Sequence, residues 1–324
     1  MAFDRRQVLR LAGTAGAFTF ASRIAGATGY PDRPIRFVVP LPAGGAADII
    51  ARHMGKWLER LGQPVVIENK PGAGTNVGVQ AVVNAPPDGY TLLLIGTASA
   101  ISPSLHERLL FNVLRDIAPV AGLVRFPLVM EVSRSLPVST VAEFIAYAKQ
   151  NPGKVNMGSS GVGTAPHLAG EMFRAMTGID MLHVPYRGEP PAITDLLSGR
   201  VQVMFGNVTA SLAHLRSGAL RALAVTTAEP IAVLPGLPTV AATVPDYEAS
   251  GWFGVGVPKG TPREVIERLN QTINAGLSDP EISRHFTELG STPAAFTPAE
   301  FGAHLAAETE KWAKVVKVSG AKAL

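Results

Sequence analysis

The chain has 324 residues, no cysteine, and 29 basic against 25 acidic side chains, which gives a formal net charge of +4. The absence of cysteine excludes disulfides, thiolate metal sites and cysteine nucleophiles. Four arginines and one aspartate lie in residues 1–27, so the rest of the chain is nearly neutral and has no concentrated basic run. This distribution of charge argues against nucleic-acid binding.

Residues 1–27 have the layout of a cleavable export signal. A basic head with the pair Arg5-Arg6 precedes a moderately apolar stretch, and the small residues Ala25-Gly26-Ala27 form a cleavage site. The arginine pair resembles the twin-arginine export signal. No later run of about 18 apolar residues occurs, so we expect a soluble periplasmic protein after cleavage near Ala27.

Short apolar runs alternate along the chain with helical patterns of about 10 to 15 residues. The predicted strands cover residues 35–39, 65–67, 90–95, 155–158, 181–184, 201–205 and 220–225. The predicted helices between them cover residues 46–61, 77–84, 166–176, 192–198 and 212–217. This alternation is typical of a mostly parallel sheet that is covered by helices.

Two later segments have the sequence of a helix N-terminus. Thr261-Pro262-Arg263-Glu264 and Thr297-Pro298-Ala299-Glu300 each combine an N-cap threonine, a proline at the first helical position and a glutamate at the third. Each segment therefore predicts a capped C-terminal helix.

Two apolar passages, residues 120–132 and 249–257, are longer than the sheet of one lobe needs. We interpret them as strands that cross between two lobes and form a hinge. The first lobe is predicted to contain residues 28–126 plus 249–324, and the second lobe residues 127–248. The predicted fold class is α/β, with a mostly parallel sheet flanked by helices in each lobe.

Two glycine-rich loops follow predicted strands and precede predicted helices, at the edge where open α/β sheets bind ligands. Glycine lets the backbone approach a ligand, and the first N–H groups of a helix have no intrahelical acceptor, so such loops can bind an anionic oxygen. Matching loops in both half-sheets favour ligand binding over ordinary turns. The candidate residues are Gly44 and Gly45 in the first loop and Ser159, Ser160, Gly163 and Thr164 in the second.

Catalytic and nucleotide-binding signatures do not fit the second loop. The segment Gly158-Ser159-Ser160-Gly161-Val162 lacks the last glycine of a nucleophile elbow. Thr164 stands where a P-loop has lysine, and Pro166 stands where a dinucleotide fingerprint needs glycine or alanine. No metal motif occurs, so we expect neither a metal nor a cofactor. A hydrolase or isomerase that uses Ser160 and His167 is the alternative to a binding protein.

Further candidates lie near the same sheet edge. His167 and Arg187 can reach a ligand, but a backbone-bonded histidine and a solvated surface arginine are the alternatives. Asn207 offers a side-chain amide, with turn formation as its alternative. Asp48 would repel an anion, so we assign it to the start of its helix.

Seven motifs occur along the chain in an order that resembles a known family. They are YPDRPI at 30–35, PAGGAAD at 42–48, ENKPGAG at 68–74, PDGYTL at 87–92, SSGVGTAPHL at 159–168, HVPYRG at 183–188 and WFG at 252–254. The chain resembles the Bug proteins, the extracytoplasmic receptors of tripartite tricarboxylate transporters, from about residue 30 to its C-terminus.

The resemblance implies a two-lobed periplasmic-binding-protein fold, similar to type II, that closes on a small carboxylate held by backbone groups and bridging waters. The implied ligands are di- and tricarboxylates, acidic amino acids and aromatic acids. A monomeric receptor would deliver its ligand to a permease of one large and one small membrane subunit, with a ligand receptor for a sensor protein as the alternative.

The resemblance also identifies positions that match the binding residues of the family. They are Pro42, Ala43, Gly44, Gly45, Thr97, Ser99, Ser159, Ser160, Gly163, Thr164 and His167. Leu41, Ala43 and Gly206 depart from the family pattern, which commonly has an aromatic residue, a proline and an aspartate at these positions. These departures leave the identity of the ligand open.

Overall fold

A computed structural model of the chain describes residues 29–106 and 108–322. The predicted export signal at residues 1–27 lies outside this range. The strands are β1 (Ile35–Val39), β2 (Val65–Asn69), β3 (Thr91–Gly96), β4 (Ile117–Ser133), β5 (Asn156–Ser159), β6 (Leu182–Pro185), β7 (Val203–Asn207), β8 (Leu220–Val225), β9 (Ser250–Pro258) and β10 (Thr292–Pro293).

Helices lie between most of these strands and follow the last long one. They are α1 (Ala46–Leu58), α2 (Asn76–Val83), α3 (Thr97–Leu105), α4 (Val113–Asp116), α5 (Val141–Gln150), α6 (Ala165–Thr177), α7 (Glu189–Leu197), α8 (Val208–Arg216), α9 (Arg263–Ser278), α10 (Pro280–Glu288) and α11 (Pro298–Ser319). Short 3-10 helices cover Glu59–Leu61, Ala73–Thr75 and Val240–Ala242. None of the helices in the described ranges is both long enough and apolar enough to cross a membrane.

The strands form two groups, which we call the first and the second strand group. In the first group β1 is parallel to β2 and β3, while β9 runs antiparallel between β3 and β4. In the second group β5 is parallel to β6 and β7, and β4 is antiparallel to β7 and β8. The predicted α/β class is confirmed, with antiparallel pairs around β4 in addition to the parallel ones.

The long strand β4 belongs to both groups. Its residues Ile117 to Pro127 pair with β9, and its residues Leu128 to Ser133 pair with β7 and β8. Only Arg125 of this strand is exposed, because both faces of β4 are covered. The first predicted crossing passage, residues 120–132, therefore lies in one continuous strand that pairs in both groups. The second predicted passage, residues 249–257, corresponds to β9, which pairs only within the first group.

Hydrophobic periodicity predicts helix α1, and capping residues predict the start of helix α11. In α1 the buried face contains Ile50, Met54 and Leu58, which recur at intervals of four residues. The helix α11 begins at the predicted capping box, in which Thr297 and Glu300 each accept a backbone N–H from the other's segment.

The capping box predicted at Thr261 is wrong. Helix α9 begins only at Arg263, with Pro262 as its N-cap residue and no side-chain cap. The hydroxyl of Thr261 instead donates to the carbonyl oxygen of Pro258 at 2.8 Å. Thr261 therefore closes the turn that follows β9, where a backbone acceptor is nearer than the helix N–H groups.

Thr226 joins the two places where the chain passes between the strand groups. Its backbone N–H donates to Leu128 O at 3.0 Å, and Leu128 N donates to the Thr226 hydroxyl at 3.1 Å. Ala249 N donates to Thr226 O at 2.9 Å, and the hydroxyl of Thr226 also contacts Ala249 O. Because Thr226 is completely buried, no water can replace these bonds.

The first testable prediction concerns this residue. Thr226→Val keeps the shape of the side chain but leaves Leu128 N–H without its acceptor, so we expect the free energy of unfolding to fall by about 1–3 kcal/mol. Urea denaturation followed by circular dichroism measures this change. Thr227→Val is the control, because it removes an exposed hydrogen bond from the Thr227 hydroxyl to Glu229 O. It should lower the free energy of unfolding by less than about 1 kcal/mol. Equal losses in the two variants would contradict the role of Thr226.

Candidate ligand-binding site

A cavity lies between the two strand groups, at the ends of β1, β3, β5 and β7. Its empty volume is about 640 Å³, part of which is open to solvent. The lining residues are Pro40, Leu41, Pro42, Gly45, Ala46, Ala47, Thr75, Leu94, Gly96, Thr97, Ala98, Ser99, Phe126, Ser160, Thr164, Ala165, Pro166, Gly188, Glu189, Asn207 and Phe253.

Asp48 accepts a backbone hydrogen bond from the first glycine-rich loop. Gly44 N donates to Asp48 Oδ2 at 2.9 Å, and Arg52 Nε donates to the same oxygen at 2.9 Å. Asn69 Nδ2 donates to Asp48 Oδ1 and to Leu41 O, both at 3.0 Å. Burial disfavours the charged form of Asp48, but the hydrogen bonds from Arg52, Gly44 and Asn69 outweigh it and lower its pKa. The Gly44 N–H is therefore already bonded to a carboxylate of the protein.

A second carboxylate of the protein occupies the start of α1. Ala46 N donates to Glu189 Oε2 at 3.3 Å, and Asn207 N donates to Glu189 Oε1 at 3.2 Å. Ala46 begins a helix of the first strand group, while Glu189 and Asn207 belong to elements of the second. Burial raises the pKa of Glu189 to about 7 against the opposite effect of these two bonds. One carboxylate thus bridges backbone N–H groups from both sides of the cavity.

The second glycine-rich loop bonds mainly to itself. Gly161 N donates to Ser159 Oγ at 3.1 Å, and Thr164 Oγ1 donates to Gly161 O at 2.7 Å. Gly163 N donates to Nδ1 of His167 at 3.2 Å. Ser159 Oγ lies 2.7 Å from Nε2 of His183. Most of the expected donors of this loop are therefore engaged within the protein, and Ser160 and Thr164 are its members that line the cavity.

The geometry of His167 does not provide a base for Ser160. Nδ1 of His167 accepts the Gly163 N–H, and its ring stacks on His183 with centroids 4.1 Å apart. Burial, together with the nearby charges of His183 and Arg174, lowers the pKa of His167 to about 3, and burial lowers that of His183 to about 4. In the described part of the chain, no hydrogen bond connects Ser160 to His167. The hydrolase alternative, which uses Ser160 and His167, therefore lacks a hydrogen-bonded Ser160–His167 pair in this structure.

Two hydroxyl groups in the cavity wall lack protein partners. Ser99 in α3 is 2% exposed and Ser160 is 8% exposed. Neither hydroxyl makes a hydrogen bond to another described residue. By contrast, Thr97 Oγ1 accepts from Trp252 N at 3.0 Å, and Asn207 Oδ1 accepts from Thr209 N at 2.9 Å. The hydroxyls of Ser99 and Ser160 and the Asn207 amide N–H groups can therefore bond to a ligand.

Of the thirteen residues predicted to bind ligand, seven line the cavity and six do not. Those that line the cavity are Pro42, Gly45, Thr97, Ser99, Ser160, Thr164 and Asn207. Those that do not line it are Ala43, Gly44, Ser159, Gly163, His167 and Arg187. Arg187 is exposed and borders a neighbouring groove that also contains Pro42 and Ser160. Contact of these thirteen residues with a ligand stays a prediction.

Sequence reasoning missed three important residues of the wall. Phe126 and Phe253 stack at a tilt, with centroids 4.7 Å apart, and present apolar surface to the cavity. Glu189 is the only lining residue in the described chain that is ionisable. The signal for Glu189 was a strand followed by Gly188 and two prolines, Pro190 and Pro191, which is the pattern of a helix start.

Glu131 lies behind the wall and is completely buried. Ser211 Oγ donates to its Oε1 at 2.7 Å, and its Oε2 has no hydrogen-bond partner. A Cβ atom at Gly206 would overlap Glu131 Oε1, so Glu131 occupies the space that a side chain at position 206 would need. Burial, and secondarily the charge of Glu189, raises the pKa of Glu131 to about 8.

A cavity between two strand groups, bordered by glycine-rich loops and helix starts, is the arrangement of proteins that close around a small ligand, a class that includes the periplasmic solute-binding receptors. The chain belongs to the TctC family, described as tripartite tricarboxylate transporter family receptor, which matches residues 50–321. BugT of Bordetella pertussis is 38% identical over 320 residues, which are 97% of this chain and 98% of BugT. The resemblance to the Bug proteins is thereby confirmed.

Solved structures share the fold over nearly the whole chain. R. palustris Rpa4515 with adipate has a TM-score of 0.89 and 37% identity, covering 91% of this chain and 100% of Rpa4515. MatC (Rpa3494) from Rhodopseudomonas palustris with bound malate has a TM-score of 0.84 and 27% identity, covering 89% of this chain and 100% of MatC. The periplasmic-binding-protein fold is therefore confirmed for this chain.

The two buried glutamates predict a pH-dependent stability. The pKa values of Glu131 and Glu189 are raised from 4.5 to about 8 and about 7. A group with a raised folded-state pKa stabilises most below its unfolded pKa, and this stabilisation is lost as the pH rises through the folded pKa. We expect the free energy of unfolding to fall between about pH 5 and about pH 8, by several kcal/mol at most.

Glu131→Gln tests this dependence, because glutamine has no ionisable group and can still accept from Ser211. The variant should lose less stability than the wild type between about pH 5 and about pH 8 in urea denaturation. The same decline in both proteins would show that Glu131 does not titrate in this interval.

Proposed function

We propose that this receptor captures a small carboxylate in the periplasm and delivers it to the membrane permease subunits of a tripartite tricarboxylate transporter. The observation that carries the proposal is the bridge of Glu189 between Ala46 N–H and Asn207 N–H. It demonstrates that backbone groups on both sides of this cavity can bind carboxylate oxygens without an arginine or a lysine. Family membership and the adipate and malate in two similar structures support the same ligand class.

The proposed lobes are residues 28–126 plus 249–324 and residues 127–248. The change of partners along β4 at Pro127 and Leu128 supports the first boundary. The bond between Ala249 N and Thr226 O lies beside the second boundary. Bending at these two places would open and close the cavity, since its lining residues come from both sides. A ligand favours the closed form only through contacts that it makes with both lobes.

The proposed ligand contacts combine polar and apolar groups. The hydroxyls of Ser99 and Ser160 and the side-chain amide of Asn207 are side-chain donors that the protein leaves available. The rings of Phe126 and Phe253 cover the nonpolar part of the ligand. Each hydrogen bond to a charged oxygen contributes roughly 1.5–3 kcal/mol, so a few of them suffice for micromolar binding.

Export completes the proposed function. Residues 1–27, with their paired arginines and small-residue cleavage site, supply the signal that would place the receptor in the periplasm. There the closed receptor would dock on the permease as a monomer.

Pulse-chase labelling of an Arg5→Lys, Arg6→Lys double variant tests the export route. The variant should no longer be exported, because the twin-arginine route requires the arginine pair.

Binding is tested with a panel of carboxylates added to the chain that lacks residues 1–27. A ligand at about a hundred times its dissociation constant should stabilise the protein by about 2.7 kcal/mol, which thermal unfolding detects as a raised midpoint. Ser99→Ala should weaken binding of the active compound about ten- to a hundredfold, because it loses one hydrogen bond to a charged oxygen.

Ser102→Ala is the matched control for Ser99→Ala. Ser102 lies in the same helix and is also 2% exposed, but its hydroxyl donates to Asn76 Oδ1 at 2.7 Å and does not line the cavity. The affinity of the Ser102→Ala variant for the active compound should equal that of the wild type. If no carboxylate shifts the unfolding midpoint, the proposed function is wrong.

A further inference from the structure

The Glu189 carboxylate occupies a position in which a ligand carboxylate would otherwise fit. It is 8% exposed, lines the cavity, and accepts one backbone N–H on each oxygen. These donors come from Ala46 at the start of α1 and from Asn207, the N-cap residue of α8. Helix starts favour negative charge, so Glu189 satisfies the part of the cavity that is best suited to an anion.

The backbone holds Glu189 firmly in this place. Gly188 has a φ of +117°, and a Cβ atom there would overlap Pro42, so the chain packs closely against the first loop just before Glu189. Pro190 and Pro191 follow at once in the first turn of α7. Proline fixes the backbone φ angle, which restricts the freedom of this turn. The glutamate is therefore presented to the cavity by a rigid segment.

Among the described residues, the remaining wall carries no positively charged side chain that could compensate a second ligand carboxylate. No arginine, lysine or histidine of the described chain lines the cavity, and Arg52 is paired with Asp48. The next ionisable group behind Glu189 is Glu131, a second carboxyl group. Like charges in a buried site repel each other strongly, and a buried charge without a partner is costly.

Much of the remaining cavity wall is apolar. Leu94, Phe126 and Phe253 line it together with several alanines and prolines. This surface suits a hydrocarbon chain or an aromatic ring, whose burial is favourable in proportion to its area.

We propose that Glu189 is a specificity-determining residue, which restricts this receptor to solutes with a single carboxylate and an apolar body and excludes dicarboxylates. This inference rests on the proposed function, since it takes carboxylate binding in the same cavity as given. It separates this chain from Rpa4515 and MatC, whose structures hold the dicarboxylates adipate and malate.

The test compares acids that share one skeleton and differ by one carboxylate. The pairs are butyrate with succinate, hexanoate with adipate, and benzoate with terephthalate. Isothermal titration of the purified protein near pH 8, where Glu189 with its pKa of about 7 is ionised, measures both dissociation constants. For the pair that binds, the monocarboxylate should bind at least about tenfold more tightly. This comparison needs no variant.

Glu189→Gln then shows which residue causes the preference. This variant should reduce the ratio of the dicarboxylate to the monocarboxylate dissociation constant by about tenfold, because the second carboxylate no longer meets a negative charge. Glu171→Gln is the control, since Glu171 is also a buried glutamate but bonds to Arg174 and lies outside the cavity. It should leave the preference unchanged.

Three results would overturn the inference in different ways. Equal or tighter binding of the dicarboxylate by the wild type shows that Glu189 does not exclude it. An equal gain for both members of a pair in Glu189→Gln shows that Glu189 merely competes with any ligand and moves aside. Binding by none of the pairs or of the wider carboxylate panel refutes carboxylate capture itself, and only that result also removes the proposed function.

Discussion

The pairing of one strand with both strand groups is the constraint on which the structure depends. β4 has 17 residues and hydrogen-bonds to β9 along its first part and to β7 and β8 along its second. Because its backbone groups are paired in both groups and its faces are buried, it cannot shift in one group without disturbing the other. The cavity lies between these groups, so the spacing of its two walls depends on β4 and on the second passage beside Thr226.

The cavity differs from a simple anion site because the protein supplies two of the anions. Asp48 binds the Gly44 N–H, and Glu189 binds the N–H groups of Ala46 and Asn207. The amides that glycine-rich loops make available are therefore used to stabilise the fold and to connect the two sides. In the proposed function, hydroxyl and amide side chains such as Ser99 and the aromatic surface contact the ligand. Such groups add selection by shape and hydrogen bonding to the exclusion by charge that is proposed for Glu189.

Much of the fold could be predicted from sequence, because strands and helices follow from local periodicity. The strands at 35–39 and 220–225 have the bounds that the pattern indicated, and the ends of the other predicted strands differ by up to three residues. The site was less predictable, because its contacts join distant residues. The bond from Ala46 to Glu189 spans 143 positions. Local patterns could place a glycine-rich loop at the correct edge but could not show that another helix start would supply its carboxylate.

The charge of Glu189 in the cavity wall also affects Glu131, a residue that does not contact the cavity. Glu131 occupies the space above Gly206, accepts a bond from Ser211 on one oxygen only, and has no partner for the other. This environment favours its protonated form, since a buried carboxylate with one hydrogen bond is poorly stabilised. Glu189 has two backbone donors, so it is the member of the pair that ionises first as the pH rises. A larger residue at position 206 would displace Glu131 and leave Glu189 without this neighbour. The small size of Gly206 therefore makes room for a second buried carboxyl group one layer behind the wall.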